Sequence, residues 1–251
     1  MQLDRPIVLS IAGLDPSAGA GLLADIKTFE KHKVYGLGIC TAQTLQTETD
    51  FLSVRWEKVE NIILAIEKMM MHYDVKSVKI GIVENISSLQ KIVLAINNLN
   101  KDVKIIIDPV IRSGTGFNFW DEEIDEEKLK NILSGVFLIT PNYEEAVQLY
   151  PSNDAKKSAK ELSKYCNVLL KGGHNEEEKG VDYLYSKNEV KKITGETDNA
   201  FPKHGSGCVL SSAISANLAL GLDLITSCKN AKKYIEQFLT SNETLLGYHY
   251  V

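Results

Sequence analysis

The chain has 251 residues, enough for one large α/β domain with a sizeable core, and its 44% hydrophobic and 24% charged residues are ordinary for a globular protein. Its formal net charge of −5 excludes the basic field with which proteins attract nucleic acid or anionic membranes. No apolar run approaches the roughly 18 residues of a membrane span, and the N-terminus "MQLDRPIVLSIAG" predicts a first strand and not a signal peptide.

The predicted elements alternate between strands and helices. In chain order the sequence predicts a strand at "PIVLSIAG", a helix at "AGLLADIKTFEKH", a strand at "YGLGICTAQ", a helix at "VENIILAIEKMMMHY", a strand at "VKSVKIGIV", a helix at "SSLQKIVLAINNL", a strand at "VKIIIDP", a helix at "DEEKLKNIL", a strand at "VFLITPN", helices at "YEEAVQLY" and "AKKSAKELSKYC", and a strand at "NVLLKGG". This order predicts right-handed βαβ crossovers and a mostly parallel sheet covered on both faces, the α/β class.

Two local details of these helices can also be predicted. The first helix is expected to bury one apolar face, made of Leu22, Leu23, Ile26 and Phe29. A serine is expected to cap the helix at "SSLQKIVLAINNL".

The alternation ends in the last third of the chain. "VDYLYSKNEVKKIT" predicts a hairpin around "SKNE", and two closing helices follow, the second over roughly residues 223–244. We find no repeat, low-complexity tract or linker, so we expect one domain over residues 1–251.

The four cysteines are scattered, without the paired spacing of a metal site. This pattern predicts free thiols and a reducing, cytoplasmic setting. Cys40 and Cys166 lie beside apolar runs and are expected in the core.

Ligands of open parallel sheets bind at the carboxyl ends of the strands. The segments predicted there are rich in glycine, proline and polar residues: "AGLDPSAGAG", "TAQTLQ", "KIGIVEN", "IDPVIRSG", "TPNYEE" and "LKGGH". "GLDPSAGAGLLADIK" has neither the spacing of a dinucleotide fingerprint nor that of a P-loop, and alone it reads as a strand–turn–helix junction.

The loop "HGSGC" precedes a nearly all-apolar helix and suits a phosphate group. Gly205 and Gly207 permit positive φ and close approach of a ligand, and Ser206 can cap the helix, whose free N–H groups then form an anion hole. Cys208 lies in the first turn, where the pKa of a thiol tends to fall. A small residue filling a tight turn is the alternative interpretation of Cys208.

Charged residues at three other strand ends complete this constellation. Asp108 ends an apolar strand, and Glu145 stands three residues after Asn142 at a helix start, so the two carboxylates could hold Mg²⁺ through water. Lys171, before Gly172 and Gly173, brings an ammonium group to the same edge. Helix capping by Asn142, solvation of Glu145 and a surface Lys171 are the structural alternatives.

These motifs together resemble a known family. "IAGLDPSAGAGLLADIKTF", "IDPV", "TPNYEEA", "LLKGGH" and "HGSGC" are similar, in this order and along nearly the whole chain, to the motifs of the hydroxymethylpyrimidine and phosphomethylpyrimidine kinases of the ribokinase-like superfamily. The resemblance implies an ATP-dependent kinase of thiamin pyrimidine synthesis, with a three-layer α/β/α sandwich around about eight mostly parallel strands. Relatives are often dimers, so it also implies a homodimer.

The resemblance also assigns site residues. It implies a reacting centre with a Cys208 thiolate as a candidate proton acceptor, formed by Gly205, Ser206, Gly207 and Cys208. It implies a pyrimidine pocket, formed by Gly13, Asp25, Gln46 and Ile82, in which Gln43 is an alternative to Gln46. It implies a nucleotide-phosphate side formed by Asn142, Lys171 and Gly173, with Asp108 and Glu145 as the metal ligands.

Several positions depart from the family pattern. The segment after "DPV", a lid in relatives, is two residues shorter here, which leaves the phosphate contacts of Arg112 open. Ile82 replaces a methionine against the pyrimidine ring, and Lys203 replaces a threonine. The departures fall in the acceptor pocket and the lid, so they leave pyridoxal or pyridoxine kinase, a sugar kinase, and a non-catalytic ligand-binding relative as alternatives.

Overall fold

The computed structural model describes residues 5–112, 116–120, 124–174, 178–186, 189–197 and 200–250. The strands in this part of the chain are β1 (Ile7–Leu14), β2 (Tyr35–Gln46), β3 (Phe51–Trp56), β4 (Val75–Ile80), β5 (Lys104–Ile107), β6 (Leu138–Ile139), β7 (Asn167–Leu170), β8 (Asp182–Ser186) and β9 (Glu189–Ile193). The helices are α1 (Gly21–Lys31), α2 (Val59–His72), α3 (Ile86–Leu99), α4 (Glu126–Leu133), α5 (Tyr143–Leu149), α6 (Ala155–Leu162), α7 (Ser206–Ala219) and α8 (Leu224–Thr240).

One nine-stranded sheet runs through the described structure in the order β3-β2-β1-β4-β5-β6-β7-β8-β9. The pairings from β2 to β7 are parallel, whereas β3, β8 and β9 join by antiparallel pairing at the two edges. The mostly parallel sheet and the late β8–β9 hairpin are therefore confirmed. The hairpin tip, residues 187–188, lies outside the described residues.

Helices cover both faces of the sheet, which gives three layers. Side chains of strand β5 alternate between them, because Ile105 and Ile107 pack in the cluster formed with α2 to α6, whereas Ile106 packs in the cluster formed with α1, α7 and α8. The predicted α/β/α sandwich is confirmed. Within the described ranges, no helix is both long enough and apolar enough to cross a bilayer.

The buried face of α1 differs from the prediction. Leu23 is 36% exposed, and the buried residues are Ala24, Asp25, Thr28 and Phe29. The prediction relied on hydropathy, but α1 turns a polar stripe inward because its carboxylate has charged and hydroxyl partners inside the protein.

Two predicted helix caps are wrong. Asn85 caps α3 by accepting a hydrogen bond from the Ser88 amide at 2.8 Å, so no serine is the cap. Gly205 is the N-cap of α7, at φ 74°, and Ser206 is already the first helical residue, without a capping side-chain bond. A left-handed backbone at the cap suits glycine, and no capping side chain occupies the N–H groups of the first turn, of which that of Ser206 donates to the Lys203 carbonyl at 3.4 Å.

Other differences concern an edge strand, a helix end and the thiols. Strand β3 was not predicted, and α8 ends at Thr240. All four cysteines are free, as predicted, but Cys40 and Cys166 are half-buried and Cys228 is the cysteine with a buried side chain.

Candidate active site

The site is built where the carboxyl ends of β5, β6 and β7 meet the start of α7. Asp108 directly follows β5 and is 1% exposed. Lys171, directly after β7, donates to Asp108 Oδ1 at 2.7 Å, and Thr140, directly after β6, lies 3.2 Å from the same oxygen. Adjacent parallel strands therefore bring together a carboxylate and an ammonium that are 63 residues apart in the chain.

Glu145 joins this pair through a helix cap. Asn142 accepts a hydrogen bond from the Glu145 amide at 2.8 Å, and the Asn142 amide donates to Glu145 Oε2 at 2.7 Å, which is a complete capping box. The structure therefore shows helix capping, the structural alternative for Asn142. The same geometry holds Glu145 Oε2 3.7 Å from Lys171 Nζ, so Glu145 is part of the site as well as of the cap.

The three charged groups influence one another strongly. Burial raises the pKa of Asp108, but Lys171 and Lys79 outweigh it and hold the pKa below its usual value. Burial of Glu145 raises its pKa to about 7 against the attraction of Lys171. The pKa of Lys171 lies above its usual value, because Asp108 and Glu145 outweigh the burial of the ammonium. At neutral pH the site therefore holds a firm ion pair and a carboxyl group near its titration midpoint.

The N-terminus of α7 faces the ion pair. A Cβ on Gly207 would lie 3.3 Å from Lys171 Nζ and 3.6 Å from Asp108 Oδ2. Ser211, one turn later, donates to the Gly207 carbonyl at 3.0 Å and lies 3.4 Å from Asp108 Oδ2. The structure thus places the free N–H groups of a helix and the lysine side by side, which is an arrangement that stabilises a phosphoryl group.

The protonation expected for Cys208 is wrong. Burial raises its pKa to about 11, although Lys79 acts in the opposite direction. Desolvation of the thiolate outweighs the attraction of the Lys79 ammonium. Cys208 is therefore a neutral thiol at pH 7, and a thiolate that accepts the substrate proton is not supported.

The two glycine loops pack directly against each other. A Cβ on Gly205 would clash with the Gly19 carbonyl oxygen. His204 Nε2 lies 2.9 Å from Asp15 Oδ2, and the same carboxylate accepts hydrogen bonds from the amides of Ser17 and Ala20 at 2.9 and 2.8 Å. The first glycine loop is thus more than a strand–helix junction, because it packs against the loop that precedes α7.

Three residues assigned to the pyrimidine pocket lie at the ends of neighbouring strands. A Cβ on Gly13 would clash with the Ile82 side chain, so these two residues are in contact. Gln46 is half-buried and donates to Thr44 Oγ1 at 2.9 Å. Gln43 is exposed and bound by Arg55, which leaves Gln46 as the better placed of the two glutamines.

Asp25 does not line the pocket as expected. Its side chain is completely buried, and its oxygens are held by Lys79, Ser10 and Ser212. A carboxylate inside the protein must be paired and hydrogen-bonded, and these partners satisfy it beneath the site. Asp25 therefore supports the site from below instead of contacting a ligand.

Two further expected residues are not joined to the Asp108 group. Gly173 is exposed, with no atom within 4 Å of a Cβ placed there. Arg112 donates to the Gly116 carbonyl at 3.0 Å, and residues 113–115 of the predicted lid lie outside the described residues.

A divalent cation fits this donor set only in part. Asp108 and Glu145 lie on either side of Lys171, and no group of three or more His, Cys, Asp or Glu side chains that could hold a metal is found in the described ranges. Mg²⁺ commonly binds through one or two carboxylates, waters and nucleotide phosphates. The residues present therefore fit a Mg²⁺ that a nucleotide brings with it.

Sequence reasoning missed Lys79, Asp15 and His204. Lys79 stands in the predicted strand "VKSVKIGIV" and Asp25 in the predicted first helix, so the available signal was a pair of opposite charges in two elements expected to pack in the core. Asp15 and His204 stand next to the glycine loops, where nothing in their spacing indicated contact.

Comparisons with known proteins identify this arrangement. Residues 15–250 match the phosphomethylpyrimidine kinase family. The chain belongs to this family. A hydroxymethylpyrimidine/phosphomethylpyrimidine kinase from Aquifex aeolicus is 33% identical, over 95% of this chain and 96% of its own. The predicted family is therefore confirmed.

Solved structures agree. A phosphomethylpyrimidine kinase from Clostridium difficile superposes with a TM-score of 0.77 at 32% identity, covering 92% of this chain and 98% of its own. A pyridoxal kinase from Staphylococcus aureus, in complex with AMP-PCP and pyridoxal, gives a TM-score of 0.80 at 25% identity, covering 97% and 92%. The ribokinase-like fold is confirmed, and the protein is a small-molecule kinase.

Proposed function

We propose that the protein transfers the terminal phosphoryl group of ATP to the hydroxymethyl group of hydroxymethylpyrimidine and to the monophosphate of that compound. The observation that carries the proposal is the approach of Gly207, at the start of α7, to Lys171 and Asp108. The family and the named relatives support the pyrimidine as acceptor.

The chain's own residues would contribute mainly charge and position. The N–H groups at Gly207 and Cys208 and the Lys171 ammonium would stabilise negative charge on the transferred phosphoryl group. Asp108 fixes the lysine by a 2.7 Å ion pair. Because Cys208 is a neutral thiol, we assign proton acceptance from the substrate hydroxyl to another acceptor, such as water or the phosphate itself.

Mg²⁺ would neutralise charge on the nucleotide phosphates when bound. Asp108 and Glu145 would hold it through water. Glu145 suits this task in its ionised form, while its capping box keeps the carboxylate in place.

The acceptor would bind beside Gly13 and Ile82, with Gln46 presenting a donor and an acceptor to the edge of the aminopyrimidine. Pyridoxal is the second candidate, because it is also a flat heteroaromatic ring with a hydroxymethyl group. The Staphylococcus aureus pyridoxal kinase of the same fold supports this alternative.

Turnover of four acceptors tests the proposal. The protein is incubated with MgATP and, separately, hydroxymethylpyrimidine, its monophosphate, pyridoxal and ribose, and ADP release is measured against a reaction without acceptor. We expect the two pyrimidines to react fastest. Faster reaction of pyridoxal would replace the substrate assignment, and no turnover would favour a ligand-binding relative.

We further propose that the whole chain acts as one kinase domain in the cytoplasm and forms a homodimer. Light scattering on a sizing column should then give twice the 27.9 kDa of one chain. A mass equal to one chain would contradict the dimer.

A further inference from the structure

A buried ion pair lies beneath the site and has no part in the reaction as proposed. Lys79 on β4 and Asp25 on α1 are both 0% exposed, and Lys79 Nζ lies 2.9 Å from both oxygens of Asp25. Burial of two charges costs free energy that the pair itself only partly offsets. Stability alone therefore does not account for this pair, which suggests a role in positioning other groups.

The ion pair extends by hydrogen bonds to two more elements. Ser10 on β1 donates to Asp25 Oδ2 at 2.6 Å, and Ser212 on α7 donates to Asp25 Oδ1 at 2.7 Å. The network thus joins β1, β4, α1 and α7. Both helices in it begin at the glycine loops of the site, α1 at Gly21 and α7 at Ser206.

The network also lies close to the reacting groups. Ser211, the residue before Ser212 on α7, lies 3.4 Å from Asp108 Oδ2. The charge of Lys79 contributes to the lowered pKa of Asp108. The charge of Lys79 therefore acts on the ion pair of Asp108 and Lys171 that faces Gly207.

We infer that Lys79, Asp25 and Ser212 are positioning residues that fix the N-terminus of α7 relative to Asp108 and Lys171. Ser212 is in the second turn of α7, and its hydroxyl is held by a carboxylate that is itself locked between a lysine and a second serine. The N–H groups at Gly207 and Cys208 then point at one place. The inference rests on the proposed function, since it assigns the phosphoryl group to that place.

The same helix supplies a matched control. Ser215, three residues later and also 0% exposed, is bound by Ser77 Oγ, with the two hydroxyl oxygens 2.9 Å apart. This bond fastens α7 to β4 farther from its N-terminus. Ser212→Ala removes a hydrogen bond to the ion pair, whereas Ser215→Ala removes a neutral bond and leaves the Ser77 hydroxyl bonded to the Ser215 carbonyl at 2.9 Å. Both variants lose one buried hydroxyl from the same helix, but only Ser212→Ala breaks the network that joins α7 to the ion pair.

The experiment compares the two variants in melting temperature, kcat and KM. We expect both to lower Tm, Ser212→Ala by about a few degrees and Ser215→Ala by less, because the Ser212 bond is to a charged group. Ser212→Ala should lower kcat about fivefold or more with the KM of the acceptor unchanged, whereas Ser215→Ala should keep kcat within about twofold. Equal kcat in the two variants, whether lost or retained, would overturn the inference.

A binding measurement makes this result independent of the acceptor. The affinity for Mg²⁺ with AMP-PCP, measured by calorimetry, should weaken about fivefold in Ser212→Ala and not in Ser215→Ala. Wild-type protein that binds the nucleotide but phosphorylates no pyrimidine would remove the proposed substrate and leave the inference standing. Equal affinities in the two variants would remove the inference and leave the substrate standing.

Discussion

Two glycines of one loop have different tasks at the scale of the residue. Gly205 has φ 74°, and a side chain there would clash with the Gly19 carbonyl, so glycine is required by the fold. A methyl group on Gly207 would meet no backbone, but it would lie 3.3 Å from Lys171 Nζ and 3.6 Å from Asp108 Oδ2, so the lysine would have to shift slightly. The fold does not require glycine at position 207, and its absence of a side chain instead leaves space for a ligand beside Lys171 and Asp108.

Substitution of each glycine by alanine separates these tasks. We expect Gly207→Ala to lower kcat about tenfold or more with little change in Tm, because the methyl group occupies the approach to the phosphoryl group. Gly205→Ala should instead lower Tm by several degrees, since the strained backbone and the clash destabilise the fold. Steady-state kinetics and calorimetry measure both. Full activity of Gly207→Ala would remove the anion site from this loop.

The titration of Glu145 predicts a pH dependence. Burial raises its pKa to about 7, so the group ionises as the pH rises through neutrality. If the carboxylate holds Mg²⁺, kcat/KM should rise through about pH 7, and Glu145→Gln should lower the upper plateau and abolish that rise. Glutamine can still complete the capping box, so the helix start is retained. An unchanged rise in the variant would assign the titration to another group.

The sign of the stability effect provides a control for Glu145. As the pH rises, Glu145 loses its proton near pH 4.5 in the unfolded chain but keeps it to about pH 7 in the folded protein. Between about pH 4.5 and 7 the contribution of Glu145 to stability therefore falls as the pH rises. The Tm of the wild type minus the Tm of Glu145→Gln should therefore decrease as the pH rises from about 4.5 to 7.

Sequence reasoning at this scale succeeded for residues at strand ends and failed for residues inside elements. Asp108, Glu145 and Lys171 could be grouped because parallel strands end at one edge. The burial of Asp25 could not be predicted, because a charged residue in a helix reads as exposed until its partner Lys79, 54 residues away, is known.

At the scale of elements, the site depends on two helices that begin at touching loops. The contact between Asp15 and His204 joins the loop before α1 to the loop before α7 across 189 residues of sequence. The His204 amide also donates to the Leu245 carbonyl at 2.9 Å, so the C-terminal segment supports the same loop. A change at His204 should therefore affect the loop before α7, where we propose that the phosphoryl group binds, without any contact between His204 and a ligand.

Removal of the histidine ring should loosen both loops. We expect His204→Ala to lower kcat about tenfold and Tm by several degrees, because Asp15 loses a hydrogen bond while buried. His72→Ala, an exposed histidine on α2, is the matched control and should change neither quantity. A double-mutant cycle with Asp15→Asn measures the coupling. Independent effects of the two substitutions would contradict a shared role.

Elements were predictable where they are buried. Strands β1, β4, β5 and β7 lie in the middle of the sheet with nearly all of their residues buried, and each was predicted. Strand β3 was missed because it is an edge strand without a buried stripe, with half-buried and exposed residues throughout. The caps of α3 and α7 were misassigned because serines stand close to Asn85 at the first start and next to Gly205 at the second, and only the backbone shows which residue caps.

At the scale of the whole molecule, the sheet collects residues from distant parts of the chain. The site has Asp108 from the middle and Gly207 near the end, supported by Asp15 from the beginning. Folding must therefore be nearly complete before the phosphate site exists. A nucleotide should in consequence bind the folded state and not the unfolded chain.

Ligand binding should thus raise the melting temperature. At about 100 times the dissociation constant, MgADP would stabilise the folded state by about 2.7 kcal/mol, which corresponds to about 5–10 °C in a chain of this size. Removal of Mg²⁺ by EDTA should reduce the rise, and adenosine should give a smaller one because it lacks phosphates. Differential scanning fluorimetry measures these shifts. Equal shifts for ADP with and without Mg²⁺ would contradict the proposed metal.

Helix α7 is buried on all sides from Val209 to Leu218. A helix so enclosed can leave its place only by local unfolding, which costs far more than the movement of a surface segment. Each catalytic cycle must nevertheless admit two substrates and release two products. Substrates and products must therefore enter and leave through movement of the outer segments of the cleft, while helix α7 keeps its position throughout the catalytic cycle.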